Sequence, residues 1–537
     1  MNGVKEMQKN RLSNNKKSDE NEDRDNINKI TSVDDSRYLK YKKIDKFFYI
    51  SSLLYLIIPI VILLAFWFKM YISVFAILAL LISFFIVVKN FKYKKYDEYK
   101  KIFNYKKILI LFLLIIIINI LSGSGGISLQ NWDYKFRNSV LHDLIDNNWP
   151  VKYDYSNLKT ESEMIGSNSG ILSYYFAYWI PSAIVGKLFG FSIASVFLLL
   201  WQILGTSLFF YLICRKMNNI KLYYFIVFIC FSGMDIIGMI ILNVHKGIWT
   251  FPLGTIHIDT WNGLFCMSSF ITQLFWVFNQ SVPAWLVTSL LLNAEENYEN
   301  YGFLIALLLP FSPFPTIGLI LFMLLFMIHN IYKKCIPLKK LIIKLFSFQN
   351  ILSMLSVVPI GLLFMQNSSE KGFIIARDLL NINLKDIMVM YILFILFEIL
   401  QYVVIITKNN KYIIAICYIS FALLPLFYIG SSVDLGNRAT IPALIIYYFE
   451  ILKFIRDNKS KIRLSLLILA LLITACTNFN EIYRGIKYIV TYKKSIYLNF
   501  EDSNKTFSRC TGDESKIFFK NFVAPNKNNY FVKYILK

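Results

Sequence analysis

Several polar stretches of the sequence combine carboxylates, arginine or histidine with aromatic residues, the residue types that acid–base and anion-binding chemistry requires. The first is QNWDYKFRNSVLHDLIDNNWPVKY, in which Arg137 follows Asp133 by four residues and Asp143 follows further on. On a helix that begins near Asn131, this spacing places the three charged side chains on about the same face. A solvated helix with a weak surface ion pair has the same spacing. The neighbouring tryptophans, among them Trp132, and a glycine-rich lead-in favour a built site.

The second stretch is HKGIWTFPLGTIHIDTW, where His257 and Asp259 alternate along a predicted extended segment. Alternate side chains of a strand point to the same side, so the two groups could act as metal ligands or line a polar acceptor pocket. An aromatic loop at the membrane surface with incidental polar residues explains the pattern equally well.

The third stretch is SSVDLGNRATIP, with Asp434 and Arg438 four residues apart at the start of a predicted span. An arginine fork and the amides of a helix N-terminus both bind phosphate, so this arginine is a candidate ligand for an anion. The alternative is an arginine that anchors the helix at the membrane surface. A fourth stretch, TQLFWVFNQSVPAW, carries amide side chains that we interpret as interhelical contacts with a secondary role in lining a pocket.

The composition identifies the elements that must position these residues. Of 537 residues, 56% are hydrophobic and 17% are charged, whereas soluble domains are about a quarter charged. Apolar runs such as ILILFLLIIIINIL are typical of membrane-spanning helices and not of the short alternating strands of a β-barrel. We therefore predict an all-α polytopic membrane protein with about 13 transmembrane helices, within a range of roughly 11 to 14.

The net charge of +23 has a topological explanation. Lysine and arginine cluster beside the apolar spans, as the positive-inside rule requires of cytosolic loops, so we expect no nucleic-acid partner. The seven cysteines are scattered without CxxC or Cys/His ligand spacing, which argues against a structural metal. A divalent cation is the one cofactor left open. Motifs for nucleotide binding, serine hydrolysis or zinc proteolysis do not occur.

The charge pattern divides the chain into four segments and predicts its orientation in a bacterial plasma membrane. These segments are a disordered cytosolic tail (1–46), a transmembrane hairpin with a basic cytosolic loop (47–106), a transmembrane core (107–480) and an external C-terminal tail (481–537). The predicted external loops are 123–190, the largest and the one with interfacial helices, and 244–269, 366–385 and 430–437. The stretch 171–189 either spans the membrane or lies along its surface, and the charge rule favours the surface. The N-terminus is predicted inside and the C-terminus outside.

These features resemble the GT-C superfamily of integral-membrane glycosyltransferases. The resemblance rests on many spans, on a large first external loop with an acidic residue soon after a span, and on a surface helix before the next span. The stretches GSGGISLQNWDYKFRNSVLHDLIDNNWPVKYD, YYFAYWIPSAIVGKLFG and SPFPTIG also resemble a group of uncharacterised bacterial multi-pass membrane proteins. In place of the acidic pair of many GT-C members, this chain has the single carboxylate of Asp133.

The resemblance implies transfer of a sugar from a polyprenyl-phosphate donor to an external acceptor of the cell envelope, with inversion. Asp133 would be the general base, and Arg438 and Arg137 would bind the donor phosphate. Trp132, His257, Asp259, Asp143 and Asp434 would line the acceptor site or the pocket.

Two other functions fit the sequence. A transporter or flippase for a lipid-linked or polar substrate would use acids within the spans, for which Asp235, Glu398 and Glu450 are the candidates. A non-catalytic assembly protein of the envelope would need none of Asp133, His257 and Arg438.

Overall fold

The computed structural model describes residues 2–131, 133–248, 254, 257–294, 297–334, 337–366, 373–375, 383–429, 434–492, 521–526 and 530–537. The helices of the first half are α1 (Asn2–Trp67), α2 (Met70–Lys89), α3 (Tyr96–Ile102), α4 (Tyr105–Leu121), α5 (Tyr134–Asp146), α6 (Lys159–Ile165), α7 (Ile180–Phe189), α8 (Phe191–Met217), α9 (Tyr223–Cys230) and α10 (Asp235–His245).

The second half continues with α11 (Phe270–Trp276), α12 (Phe278–Ala294), α13 (Tyr301–Leu308), α14 (Pro313–Lys334), α15 (Leu338–Leu345), α16 (Phe348–Met365), α17 (Leu384–Phe394), α18 (Lys411–Leu423), α19 (Asp434–Ala439), α20 (Ile441–Asp457), α21 (Lys461–Tyr492) and α22 (Tyr530–Tyr534). Short strands complete the described part of the fold: β1 (Lys152–Asp154), β2 (Ser169–Leu172), β3 (Phe373–Ile375), β4 (Phe427–Ile429) and β5 (Val523–Pro525).

The chain folds as an all-α polytopic membrane protein. Within the described ranges, eight helices are long and apolar enough to cross a membrane, or nine if the bent pair of α3 and α4 forms one span. A helix rises about 1.5 Å per residue, so some 20 residues are needed to cross about 30 Å of hydrocarbon.

The predicted number of about 13 spans is not confirmed. Several apolar stretches that the sequence suggests as spans form shorter helices here. The stretch 270–293 is divided at Val277 into α11 and α12, and α13 has only eight residues. Helix α7 has ten residues and covers the second half of the stretch 171–189, for which the sequence allows either a spanning or a surface position. A hydropathy window registers apolar residues but not the points at which a helix ends.

The N-terminal helix α1 begins within the stretch 1–46 that the sequence predicts to be a cytosolic tail. Helix α1 begins at Asn2 and includes the residues of this tail, and its side chains are described from Asp35 onward. Between residues 4 and 58 the sequence contains neither proline nor glycine, so no residue type in that stretch breaks the helix.

A buried ion pair joins this helix to α8. Asp45 is fully buried, and its Oδ1 atom lies 3.0 Å from Nε of Arg215. Tyr211 and Tyr99 donate to the two carboxylate oxygens at 2.6 Å and 3.0 Å. Arg215 also donates to Asn293 on α12 at 3.0 Å. The pair and its partners thus connect four helices, α1, α3, α8 and α12, and most of its hydrogen-bonding capacity is satisfied, as a buried charge requires.

The C-terminal segment returns to the beginning of the fold. Strand β5 pairs antiparallel with β2, which pairs with β1, so residues from the end of the chain complete a sheet within the loop after α5. The Lys537 amide donates to the carbonyl of Trp67 at 2.9 Å, at the turn between α1 and α2. Strands β3 and β4 form a separate antiparallel pair.

Two candidate spans each have an interrupted helix, and the two interruptions contact each other. The segment from α9 to α10 is interrupted between Cys230 and Asp235, and after α17 the helix changes to a π-helix over Ile395–Ile399. The Met234 amide donates to the Phe397 carbonyl at 2.8 Å, which joins the two interruptions. Non-helical backbone at membrane depth is stable only where other protein groups satisfy its polar atoms, and here each interruption supplies partners for the other.

Candidate functional site

A glycine turn and an asparagine position the first functional residue, Asp133. Gly123 has a φ of 85°, and a Cβ there would overlap the carbonyl of Leu129, so the chain reverses sharply after α4. Asn131 then accepts a hydrogen bond from the Asp133 amide at 3.1 Å and donates to the Phe275 carbonyl at 2.8 Å. The start of α5 is therefore fixed to α11.

The predicted pairing of Asp133 with Arg137 is present. Nη2 of Arg137 lies 2.8 Å from Oδ2 of Asp133, and the side chains of Arg137 and Asp133 are 9% and 28% exposed. The guanidinium also lies 5.3 Å from the ring centres of Tyr134 and Phe278, within cation–π range. Its Nη1 atom is buried without a hydrogen-bond partner. One donor of this arginine thus remains available for an anion. Trp132 lies outside the described residues.

The second predicted pair, Asp434 with Arg438, interacts electrostatically with the first. Nη2 of Arg438 is 2.6 Å from Oδ1 of Asp434. Burial acts to lower the pKa of Arg438, but Asp434 and also Asp133 exert a negative field that raises it on balance. Arg438 and Arg137 in turn both act on the hydroxyl of Tyr175. Residues from α5 and α19 that are far apart in sequence therefore share one electrostatic site.

Aromatic rings surround the two arginines. Tyr174 and Tyr175 have ring centres 3.8 Å apart, and Tyr174 lies 4.2 Å from Phe522 of the C-terminal segment. Phe314 and Phe364 each lie 6.4 Å from Tyr175 in edge-to-face geometry. Two cations among such rings suit a ligand that combines a phosphate with apolar or sugar surfaces.

Asp143 is engaged elsewhere. Its Oδ2 accepts a hydrogen bond from the Tyr153 hydroxyl at 2.8 Å, in a position that is 1% exposed. This contact anchors α5 to β1.

A surface depression of about 460 Å³ lies beyond the end of α5, lined by Asn147, Asn148, Trp149, Pro150, Lys152 and Lys537.

His257 belongs to a second polar cluster. Its Nδ1 lies 3.0 Å from Oε1 of Glu481, which also pairs with Arg484 at 2.9 Å and accepts from Trp276 at 3.1 Å. Burial acts to lower the pKa of His257, but the hydrogen bond with Glu481 and the charge of Asp259 raise it on balance. The imidazole is therefore held by a salt-bridge network.

Asp259 does not lie on a strand with His257. It lies in a 3₁₀ turn, Ile258–Thr260, is fully buried, and accepts a hydrogen bond from the Ser269 amide at 3.1 Å. Burial raises the pKa of Asp259, against the opposing effect of His257. Among the described residues, no group of three or more histidines, cysteines or carboxylates could hold a metal ion. We therefore derive no step through a divalent cation.

A small cavity lies between the two clusters. It has a volume of about 10 Å³, room for roughly one water molecule, and its lining includes Asn131, Glu481 and Arg484. Asn131 also orders the start of α5. The His257 network thus lies next to the residues that position Asp133.

The sequence did not identify several of these contacts. Tyr174, Tyr175, Glu481 and Phe522 each contact a predicted site residue or its neighbour, yet no motif singled them out. The paired tyrosines of YYFAYW were the only available signal.

No family model, curated protein or solved structure matches this chain.

Proposed function

We propose that this protein is a membrane glycosyltransferase that moves a sugar from a polyprenyl-phosphate donor to an external acceptor, with inversion. The observation that carries the proposal is the convergence of two carboxylate–arginine pairs, Asp133 with Arg137 and Asp434 with Arg438, in one aromatic site. A lipid-linked donor explains why such a site would be built on membrane helices. This assignment also follows the resemblance to the GT-C superfamily.

Asp133 would act as the general base. It would take the proton of an acceptor hydroxyl as the oxygen attacks the anomeric carbon, while the bond from that carbon to the phosphate oxygen breaks on the opposite face. The Arg137 guanidinium, with Nη2 2.8 Å from Oδ2 of Asp133, holds this carboxylate in place. The carboxylate is also the more exposed partner of the pair, which leaves it accessible to an acceptor.

The two arginines would stabilise the leaving group. As the glycosidic bond breaks, negative charge develops on the phosphate, and fixed cations facing that charge lower the barrier. The charge of Arg438 acts on the hydroxyls of Tyr174 and Tyr175, so this cation faces the aromatic site. The buried, unpaired Nη1 of Arg137 supports a second contact with the same phosphate.

Replacement of Asp133 tests the proposal. We expect Asp133→Asn to abolish transfer from polyprenyl-phosphate mannose or aminoarabinose in membranes that contain the full chain, because the amide cannot accept the proton. Asp146→Asn is the matched control, since Asp146 lies on the same helix and its side chain is 61% exposed. Full transfer by a folded Asp133→Asn protein would refute the assignment.

A second candidate function is transport of a lipid-linked or polar substrate. It is favoured by Asp235 and Glu398, both fully buried at the interruptions of two candidate spans. Acids at such interruptions often bind the ions or substrates of transporters. Substrate flux in vesicles that survives Asp133→Asn but is lost in Asp235→Asn would favour transport over sugar transfer.

A further inference from the structure

The interruptions of the two spans bring three buried carboxylates together. Asp235, Asp259 and Glu398 are each 0% exposed. Asp235 and Glu398 lie on either side of Gly233, where an added Cβ would be 2.9 Å from Oδ1 of Asp235 and 2.8 Å from Cγ of Glu398. Asp259 and Glu398 accept hydrogen bonds from the amides of Ser269 and Met267, which belong to one short segment, and Asp259 acts electrostatically on Asp235. The three groups therefore form one cluster, drawn from three separate parts of the chain.

Neutral donors satisfy part of this cluster. Asp235 accepts from the hydroxyls of Ser232 and Thr477 at 2.9 Å and 2.8 Å. Glu398 accepts from the Trp261 indole at 2.7 Å and from the Met267 amide at 2.8 Å. Two further oxygens, Oδ1 of Asp235 and Oδ1 of Asp259, are buried and have no hydrogen-bond partner.

The positive charge near the cluster does not compensate for its three carboxylates. Within the described part of the chain, no lysine or arginine forms an ion pair with any of the three carboxylates. The other titratable groups that act on the cluster are Cys266, Tyr402, Glu481 and His257, and only His257 can carry positive charge. Its ring is already paired with Glu481. Three buried negative charges with so little compensation would be very costly, so the cluster must bind positive charge.

We propose that Asp235, Asp259 and Glu398 form a proton-binding site, in which one proton resides on Asp235 or Asp259 and exchanges with solvent through His257. A proton on either aspartate removes one negative charge and supplies the donor that the unpaired oxygens lack. His257 fits the exchange role because it acts electrostatically on Asp259 while its own side chain is 19% exposed. Its Nδ1 is hydrogen-bonded to Glu481, so Nε2 is the nitrogen that would carry the exchanging proton.

This inference does not rest on sugar transfer, and full transfer by Asp133→Asn, which would refute the glycosyltransferase assignment, would leave it intact. It also differs from a metal site, because the described residues offer no suitable ligand group. A proton needs only one carboxylate oxygen, and Oδ1 of either aspartate is unpartnered.

Infrared spectroscopy of the full-length protein in lipid nanodiscs tests the proposal. We expect the wild type at neutral pH to show the carbonyl stretch of a protonated carboxylic acid, which shifts in D₂O. Asp235→Asn and Asp259→Asn should each remove the intensity of one such group. Glu450→Gln is the matched control, because Glu450 is buried but paired with Lys453 at 2.9 Å and should be ionised.

The wild-type spectrum decides the question even if a variant fails to fold. The absence of a protonated carboxyl band at neutral pH would overturn the proposal, as would a band that persists in both folded aspartate variants. Disappearance of the band when sodium replaces choline would assign the site to a metal cation instead. His257→Gln should slow hydrogen–deuterium exchange of the band by about a hundredfold, and an unchanged rate would refute the role of His257.

Discussion

The Asp133 carboxylate lies 2.8 Å from the guanidinium of Arg137 and also acts electrostatically on Arg438, which belongs to a helix far away in sequence. Each arginine has its own carboxylate, so the four groups together are close to neutral. A bound phosphate would make the site negative and would compete with the carboxylates for the guanidinium groups. Both arginines should therefore contribute more to binding an anion than to stability of the resting protein.

Removal of the Arg438 charge should weaken catalysis. We expect Arg438→Gln to reduce turnover of a polyprenyl-phosphate sugar by about 10²- to 10³-fold, the usual cost of losing one preorganised group at a developing charge. Arg456→Gln is the control, because Arg456 pairs with the adjacent, exposed Asp457. Equal turnover in the two variants would remove Arg438 from the site.

The buried pair of Asp45 and Arg215 should be essential for stability. Breaking a buried pair leaves one uncompensated charge, so we expect Asp45→Asn to destabilise the protein by about 3–5 kcal/mol. Thermal unfolding in detergent measures the effect. Lys159→Gln is the control, since that side chain is 90% exposed and its ion pair with Glu163 is 3.9 Å long. A melting temperature equal to that of the control would contradict the buried-pair interpretation.

Gly318 should tolerate no larger residue. A Cβ at this position of α14 would overlap the carbonyl of Ala439, so Gly318→Ala must push α19 away. Overpacking of this kind costs about 1–3 kcal/mol, which thermal unfolding in detergent would measure. Gly361→Ala on α16 is the matched control, because its added Cβ would meet only Leu309, at 3.9 Å. A smaller loss of thermal stability at Gly318 than at Gly361 would contradict the close approach.

The contact of His257 with Glu481 should make stability depend on pH. Because the pKa of His257 is raised by folding, its contribution is complete below the ordinary value of about 6.5 and is lost as pH rises through the raised value. The melting temperature of the wild type should therefore fall over that range, relative to His257→Gln. Identical pH profiles for the two proteins would show that the network at Glu481 does not titrate in this way.

Phe522 should connect the C-terminal segment to the site. Its ring is 8% exposed and lies 5.8 Å from Phe136 and 4.2 Å from Tyr174. We expect Phe522→Ala to destabilise the sheet of β1, β2 and β5 by about 3–5 kcal/mol, seen as faster proteolysis after β5. Tyr530→Ala, at an 84% exposed position, is the control. Equal proteolysis rates would show that the segment does not depend on this ring.

The local parts of the fold could be predicted from the sequence. Helix α5 begins at Tyr134, slightly after the start near Asn131 that the sequence predicts, and the ion pair follows from a separation of four residues at a helix start. The same rule predicted the pair of Asp434 and Arg438. The count of spans was less predictable, because hydropathy does not reveal an interruption such as the one at Val277.

By itself, then, the sequence determined that the chain belongs in a membrane, since only lipid accommodates so much apolar surface. It also determined which charged residues pair within one helical turn. Only the tertiary structure brought Arg438 close to Asp133, paired His257 with Glu481, and gathered Asp235, Asp259 and Glu398. These relationships join helices from distant parts of the chain, and their geometry depends on how the helices pack, which no local pattern of residues records.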